Sequence, residues 1–286
     1  MPVDIILNKG LVMKILVPSD FSINSNNAAL YAAKFAKKVN AEIILFHIVH
    51  FEHPPMVQIS ESIEHKIEGI RLSNASKDCV LLVNDLKSKV KGVQISFKVV
   101  PGFPIADVIE DYATTNQIDL IILGTKGASG LAKVLFGSNA VSVINKSSIP
   151  VITVPESSRF SNVKLIVYAS DLDKIQSEIK KIIPFAKLFD ASIDILHVLP
   201  QDSDKKIDAV SIKNGLIEKY EYQKFLFHIA HNNNIVEGIN GFVTEVKADI
   251  LAMYTQEIGF LMSFFKTSVS REEAFHSYIP LLTLKK

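Results

Sequence analysis

The stretch that decides the fold is IDLIILGTKGASGLAKVLFGSNAVSVINKSSIPVITV, which runs from Ile118 to Val154. Its opening, Leu120–Leu123, is an uninterrupted apolar run that stops at a glycine, which predicts a buried strand followed by a loop. Asn139–Asn145 then predicts a helix, and the closing IPVITV predicts another strand. The order indicated is therefore strand, glycine-rich loop, helix and strand.

The glycines of this loop have a regular spacing, G-x-x-G, nine further residues and then G-S. The residues of the pattern are Gly124, Gly127, Gly137 and Ser138. Glycines let a backbone approach an anion closely, and a helix N-terminus directs unpaired N–H groups and a positive dipole at it. The pattern therefore predicts a phosphate site, with a purely structural turn as the alternative.

The start of the chain predicts a β-α-β unit. Met13–Pro18 is a short apolar run ended by proline, alanines at helical spacing follow it, and Ala41–Val49 predicts a second strand. Ligands of open parallel sheets lie beyond the carboxyl ends of the strands, where Asp20 and Ile48 are expected. Asp20 is interpreted either as an acceptor for ribose hydroxyls or as the cap of the next helix.

The same alternation continues through the first half of the chain. Glu61–Ile70 and Ala75–Lys89 are compatible with helix. Val93–Val100 predicts a third strand, and Ala106–Thr114 predicts a helix that leads back to the glycine-rich stretch. Five strands thus alternate with helices. This order predicts a doubly wound, three-layer α/β domain with a parallel sheet.

The glycine pattern, the VPSDFS junction and the LFHIV strand together resemble the universal stress protein family. The resemblance implies an adenine nucleotide alpha hydrolase-like fold of strand order 3-2-1-4-5, and ATP, alone or with Mg²⁺, as the ligand. It also implies nucleoside contacts from Asp20 and Ile48, with Pro18 and Ser19 lining the pocket. His47 is interpreted as a packed strand residue.

The resemblance also implies which groups surround the triphosphate. These are Gly124, Gly127, Gly137, Ser138 and the N–H of Asn139. Lys126 adds a positive charge under the same resemblance, and a solvent-exposed lysine is its alternative interpretation.

The order of elements restarts at Val163, which indicates an internal repeat. VKLIVYASD parallels MKILVPSD, and ASIDILHVL parallels AEIILFHIV. Asp171 therefore matches Asp20, and His197 matches His47. We expect two tandem domains, one universal stress protein domain over residues 13–155 and a second over residues 163–286.

The family pairs its domains through the last strand of each. The resemblance therefore implies a contact between Pro150–Val154 and Pro280–Leu284 within the chain. Both strands would otherwise expose an edge, which proteins generally avoid. A homodimer of the whole chain is a further possibility that the sequence leaves open.

The second copy has lost the glycine pattern. At a constant offset of 130 residues the counterparts of Gly124, Gly127, Gly137 and Ser138 are Tyr254, Glu257, Thr267 and Ser268. Only Ser138 keeps its residue type, as Ser268. Glutamate places negative charge where a phosphate would lie, and the tyrosine and threonine side chains occupy space that a close backbone approach needs. The second domain is therefore not expected to hold a triphosphate. Its Phe- and Met-rich run, MYTQEIGFLMSFFKTS, is interpreted as core or as a partner surface.

Composition excludes several classes of protein. The chain of 286 residues is long enough for two hydrophobic cores. Its formal charge of +1 at pH 7 gives no excess of positive charge that would indicate binding to nucleic acid. No apolar window reaches the length of a membrane span, so we expect a soluble, cytoplasmic protein without membrane contact.

Cys79 is the single cysteine and is expected to be a buried structural thiol. Zinc remains an alternative for histidines three residues apart, namely His47, His50, His53, His228 and His231.

These expectations favour an ATP-binding stress-response protein that acts as a nucleotide-dependent sensor or regulator through its first domain. Weak ATPase activity is one alternative, but no catalytic residue is identified and the Walker pattern is absent. The other alternative is a non-nucleotide interaction module whose second half binds a protein or a small ligand.

Overall fold

The computed structural model describes residues 12–51, 61–125, 137–255 and 279–285. These residues form two compact units, one over Val12–Ile149 and the other from Pro150 onward. Strands and helices alternate along the chain in the first unit, and in the second unit they alternate as far as Ile250–Thr255 after two consecutive strands, Val151–Val154 and Leu165–Ala169. Within the described ranges no helix is both long enough and apolar enough to cross a bilayer.

The first unit is built on a parallel sheet. Its elements in chain order are β1 (Lys14–Pro18), α1 (Ile23–Val39), β2 (Glu42–Val49), α2 (Glu61–Lys89), β3 (Gln94–Pro101), α3 (Ile105–Thr115), β4 (Leu120–Gly124) and α4 (Ser138–Lys146). The strand order is β3-β2-β1-β4, and every neighbouring pair is parallel. This confirms the predicted doubly wound α/β fold and places the reversal of strand order at β1, with β2 on one side and β4 on the other.

The core of this unit lies where α1 packs on the sheet. The alanines at helical spacing are all buried: Ala28, Ala29, Ala32, Ala33 and Ala36. Their small side chains allow the helix to lie close to the strands. The helix begins after Ser22, whose Oγ accepts the backbone N–H of Ser25 at 3.2 Å, and it ends at Asn40 with a left-handed φ of 54°.

The second unit repeats this plan with a longer sheet. Its elements are β5 (Val151–Val154), β6 (Leu165–Ala169), α5 (Ile175–Phe189), β7 (Ser192–Leu199), α6 (Ala209–Tyr220), β8 (Phe225–His231), α7 (Ile235–Glu245), β9 (Ile250–Thr255) and β10 (Leu281–Lys285). The strand order is β5-β10-β9-β6-β7-β8. β5 and β10 are antiparallel, with Leu282 opposite Ile152, and the other neighbours are parallel. The pairing of whole domains through their last strands stays a prediction.

Both units share local geometry that the internal repeat predicts. The helix after β1 and the helix after β6 each end at a left-handed residue, Asn40 with a φ of 54° and Asp190 with a φ of 56°. Asp119 accepts the backbone N–H of Lys14 in β1 at 2.8 Å, and Asp249 accepts that of Lys164, the residue before β6, at 2.7 Å. The domain limits of 13–155 and 163–286 stay a prediction.

Cys79 lies on α2 and is fully buried. Burial, and to a smaller extent the charge of Asp78, raises the pKa of its thiol to about 11. Because only the thiolate is a strong nucleophile, this thiol is unreactive at neutral pH. The expectation that Cys79 is buried is confirmed.

Candidate functional site

A cavity of about 300 Å³ lies in the first unit at the carboxyl ends of β1, β2 and β4. Helix α3 and the first turn of α4 complete its wall. Eight of the ten predicted site residues line it, namely Pro18, Ser19, Asp20, Ile48, Gly124, Gly137, Ser138 and Asn139. The other two, Lys126 and Gly127, lie outside the described residues. Distant segments meet here because parallel strands end at the same edge of their sheet.

Much of the cavity lining is apolar, and the sequence analysis did not predict most of it. The additional apolar residues are Phe46, Ile105, Ile109, Leu123, Ala140 and Val143. Ile105 and Ile109 lie one turn apart on α3 and therefore share a helix face. That spacing is the signal that could have identified them. A wall of this kind suits the flat apolar face of a ring.

Asp20 lies in a tight turn between β1 and α1. Its Oδ1 accepts the backbone N–H of Ser22 at 3.1 Å, and Phe21 between them has a left-handed φ of 62°. Ser22 is the residue that caps α1, so the interpretation of Asp20 as the helix cap is wrong. The exposed Asp20 carboxylate lines the cavity, where it can accept hydrogen bonds from the hydroxyl groups of a ligand.

His47 holds this turn in place. Its Nδ1 donates to the carbonyl oxygen of Ser19 at 2.7 Å, and its ring stacks on Phe21 with the centroids 4.4 Å apart. The Ser19 N–H donates in turn to the carbonyl oxygen of Phe46 at 2.9 Å. His47 is therefore packed, as interpreted from the sequence. It also lines the cavity, which the sequence analysis did not predict.

Gly124 ends β4 against the first turn of α1. A Cβ at this position would lie 3.0 Å from the carbonyl oxygen of Asn24 and 3.2 Å from its carbonyl carbon. Both atoms belong to the backbone, so they cannot move aside without moving the helix. The close approach of strand and helix is therefore the reason for glycine at this position.

The first turn of α4 also faces the cavity. Gly137 precedes the helix, and its N–H donates to the carbonyl oxygen of Thr125 at 2.7 Å. Ser138 and Asn139 open the helix and line the cavity. The first N–H groups of an α-helix have no acceptor within the helix, so this turn offers donors and a positive dipole end to an anion.

Two polar links join α3 to the end of α4 and to the residues just after it. Lys146 forms an ion pair with Asp107, and the hydrogen bond between them raises the pKa of the Lys146 ammonium group. Glu110 Oε1 accepts the Ser148 hydroxyl at 2.6 Å and the Ser148 N–H at 3.0 Å. These links are exposed, so they add little to the free energy of unfolding. They nevertheless connect the two helices that wall the cavity.

The matching turn of the second unit is built from the same bonds. Asp171 Oδ1 accepts the backbone N–H two residues further on at 3.0 Å, as Asp20 Oδ1 does at 3.1 Å. His197 Nδ1 donates to the carbonyl oxygen of Ser170 at 2.8 Å, as His47 does in its own turn. The predicted correspondence of these aspartates and histidines is confirmed.

Tyr254 takes the position of Gly124 in the second unit. Its hydroxyl donates to the carbonyl oxygen of Glu178 at 2.8 Å, and its ring meets Tyr168 edge-on at a centroid distance of 6.2 Å. Tyr168 donates to the buried Glu178 carboxylate. Burial raises the pKa of the Tyr254 hydroxyl. Side chains therefore fill this position in the second unit. The other counterparts of the glycine pattern, the altered Glu257 and Thr267 and the unaltered Ser268, lie outside the described residues.

Comparison with known proteins identifies the family. Residues 12–155 match the model of the universal stress protein family. The chain belongs to the universal stress protein family. Universal stress protein MJ0531 of Methanocaldococcus jannaschii is 30% identical to it over 146 residues, which cover 51% of this chain and 84% of that protein. Universal stress protein YxiE of Bacillus subtilis is 29% identical to it over 146 residues, which cover 49% of this chain and 97% of that protein.

The fold of the family extends over both halves of this universal stress protein. A crystal structure of a universal stress protein from Archaeoglobus fulgidus matches it with a TM-score of 0.71 at 22% identity. The match covers 95% of this chain and 98% of that chain. At 22% identity, the similarity is evidence for a shared fold.

Proposed function

We propose that the first unit of this universal stress protein binds ATP, and that binding makes the protein a nucleotide-dependent sensor or regulator. The observation that supports the proposal is the convergence of eight residues, predicted from separate sequence segments, on one cavity. The second unit, with Tyr254 in place of a glycine, serves as a scaffold without a triphosphate.

Each part of the cavity suits one part of an adenine nucleotide. The Asp20 carboxylate accepts hydrogen bonds from the ribose hydroxyls. Ile48 and Ile109 provide an apolar wall for the base. The N–H groups of Ser138 and Asn139 at the start of α4 meet the phosphates. Mg²⁺, where it accompanies ATP, needs oxygen ligands, which the phosphates supply.

The lining favours binding over turnover. Among the described residues that line the cavity, the titratable side chains are those of Asp20 and His47. Both already hold the turn after β1 through hydrogen bonds. Hydrolysis of ATP requires a group that positions water on the γ-phosphate, and neither residue is assigned that role. Regulation is therefore the proposed activity.

A calorimetric titration of the purified chain with ATP, with and without Mg²⁺, tests the proposal. Asp20→Ala should weaken binding about tenfold or more, because it removes a charged acceptor for the ribose hydroxyls. Asp171→Ala is the matched control, since it removes the same carboxylate from the same turn of the second unit. It should leave the affinity for ATP unchanged.

Two results would refute the proposal: a wild-type chain that binds no ATP, and equal losses of affinity in Asp20→Ala and Asp171→Ala. A coupled phosphate-release assay on the same samples separates the ATPase alternative. Turnover that disappears in Asp20→Ala while ATP binding persists would favour an enzyme over a regulator.

A further inference from the structure

An aromatic pair, His50 and Phe103, stands on the two segments that lead to and from the apolar cavity wall. The two ring centroids are 4.5 Å apart, and the ring planes are inclined by 31°. His50 is the residue after β2 and follows Ile48 by two residues. Phe103 stands two residues before Ile105. Ile48 and Ile105 both line the cavity, whereas the two rings are not among its lining residues. The pair therefore stands two residues along the chain from the cavity wall on two elements.

Phe103 contributes little to the core of the unit, because 67% of it is exposed. It is nevertheless held in position by the His50 ring. The segments that carry the two rings are also joined by the backbone, since the Gly102 N–H donates to the carbonyl oxygen of Val49 at 3.2 Å. An exposed aromatic ring on a segment that leads into the cavity wall can extend the surface on which a flat ligand stacks.

The second unit provides an internal comparison. The counterparts of Phe103 and His50 there are Asn233, at an offset of 130 residues, and Pro200, at an offset of 150. Asn233 Oδ1 accepts the backbone N–H of Gln201 at 2.9 Å, so a hydrogen bond joins the corresponding loops. The fold therefore does not need an aromatic pair at this place. The aromatic pair belongs to the unit whose cavity is described above.

We propose that Phe103 stacks on the base of the bound nucleotide and makes the cavity prefer purine to pyrimidine bases. This inference rests on the proposed function, since it requires a nucleotide whose base lies along Ile48 and Ile105. A two-ring base offers more area for stacking than a one-ring base. His50 is a positioning residue, because it acts by holding the Phe103 ring.

Titrations with ATP, CTP and inorganic tripolyphosphate test the inference. Phe103→Ala should weaken ATP binding about tenfold and CTP binding less, so the ratio of the two affinities falls. Tripolyphosphate has no base and should bind as it does to the wild type. Phe103→Tyr should preserve the affinity for ATP. Phe97→Ala is the matched control, because it removes another exposed phenylalanine of this unit, and it should change none of the affinities.

An unchanged ratio of ATP to CTP affinity in Phe103→Ala overturns the inference and leaves the proposed function intact. An equal loss of tripolyphosphate binding also overturns it, because the substitution then acts through the fold. A wild-type chain that binds neither nucleotide refutes both the inference and the proposed function. Should Phe103→Ala fail to fold, His50→Ala decides the question: a lower ratio supports the stacking role, and an unchanged one rejects it.

Discussion

Replacement of Gly124 by alanine should destabilise the first unit. The new Cβ would lie 3.0 Å from the carbonyl oxygen of Asn24, 3.2 Å from its carbonyl carbon and 3.4 Å from the backbone nitrogen of Ser25. All three atoms belong to the first turn of α1, and the buried alanines of this helix pack on the sheet. The helix or the end of β4 has to shift, because no flexible side chain can move aside.

Overpacking of this kind lowers the free energy of unfolding by about 1–3 kcal/mol. The corresponding fall in Tm is about 2–4 °C for each kcal/mol in a protein of roughly this size. The shift also reaches the cavity, because the Ser25 Oγ lies 3.2 Å from the Ser19 Oγ in its wall. Affinity for ATP should therefore fall together with stability.

Differential scanning calorimetry of the full chain measures the change in Tm. Gly69→Ala is the matched control, because a Cβ at that position of α2 meets nothing within 4 Å. Alanine should raise the free energy of unfolding there by about 0.5–1 kcal/mol, since it favours the helix over glycine. A Gly124→Ala chain that unfolds at the wild-type temperature or above it would refute the argument from close approach.

Three further predictions concern buried groups. Tyr254→Phe should lower the free energy of unfolding by about 1 kcal/mol, because it removes the hydroxyl that donates to the Glu178 carbonyl oxygen at 2.8 Å. Unfolding in urea measures the loss, and unchanged stability would contradict the prediction. Burial raises the pKa of Asp194 more than His228 lowers it. The folded chain therefore holds this proton more tightly than the unfolded chain, in which the pKa is about 4. The carboxyl should lower the stability of the second unit as pH rises from that value through the raised pKa. Asp194→Asn should flatten that part of the pH profile of Tm. A Tm that falls with pH as steeply in the variant as in the wild type would contradict the prediction. Cys79, whose pKa burial raises to about 11, should react with a thiol reagent at pH 8 far more slowly in the folded chain than in urea, and equal rates would show that the thiol is accessible.

The sequence by itself determined the order of the elements and the edge of the sheet where a ligand would lie. Apolar runs such as Leu120–Leu123 predict buried strands because apolar side chains leave water, and these runs became strands of the structure. The ends of the predicted strands placed Asp20 and Ile48 at one edge, since parallel strands share a direction, and both residues line the cavity. The repeat was also visible, because the residues that form the turn after the first strand are similar in both halves.

Only the tertiary structure decided which side chains complete the cavity and how closely the elements approach. The wall from Ile105, the contact of Gly124 with Asn24 and the hydrogen bond from Tyr254 to Glu178 each join segments that are distant along the chain. Periodicity shows which face of a helix is apolar, but the distance between a helix and a strand depends on the packing of all the side chains between them. The antiparallel direction of β5 and β10 was likewise decided by the fold. The family resemblance implied a contact between these segments, but neither short apolar run contains a signal for the direction of the pairing.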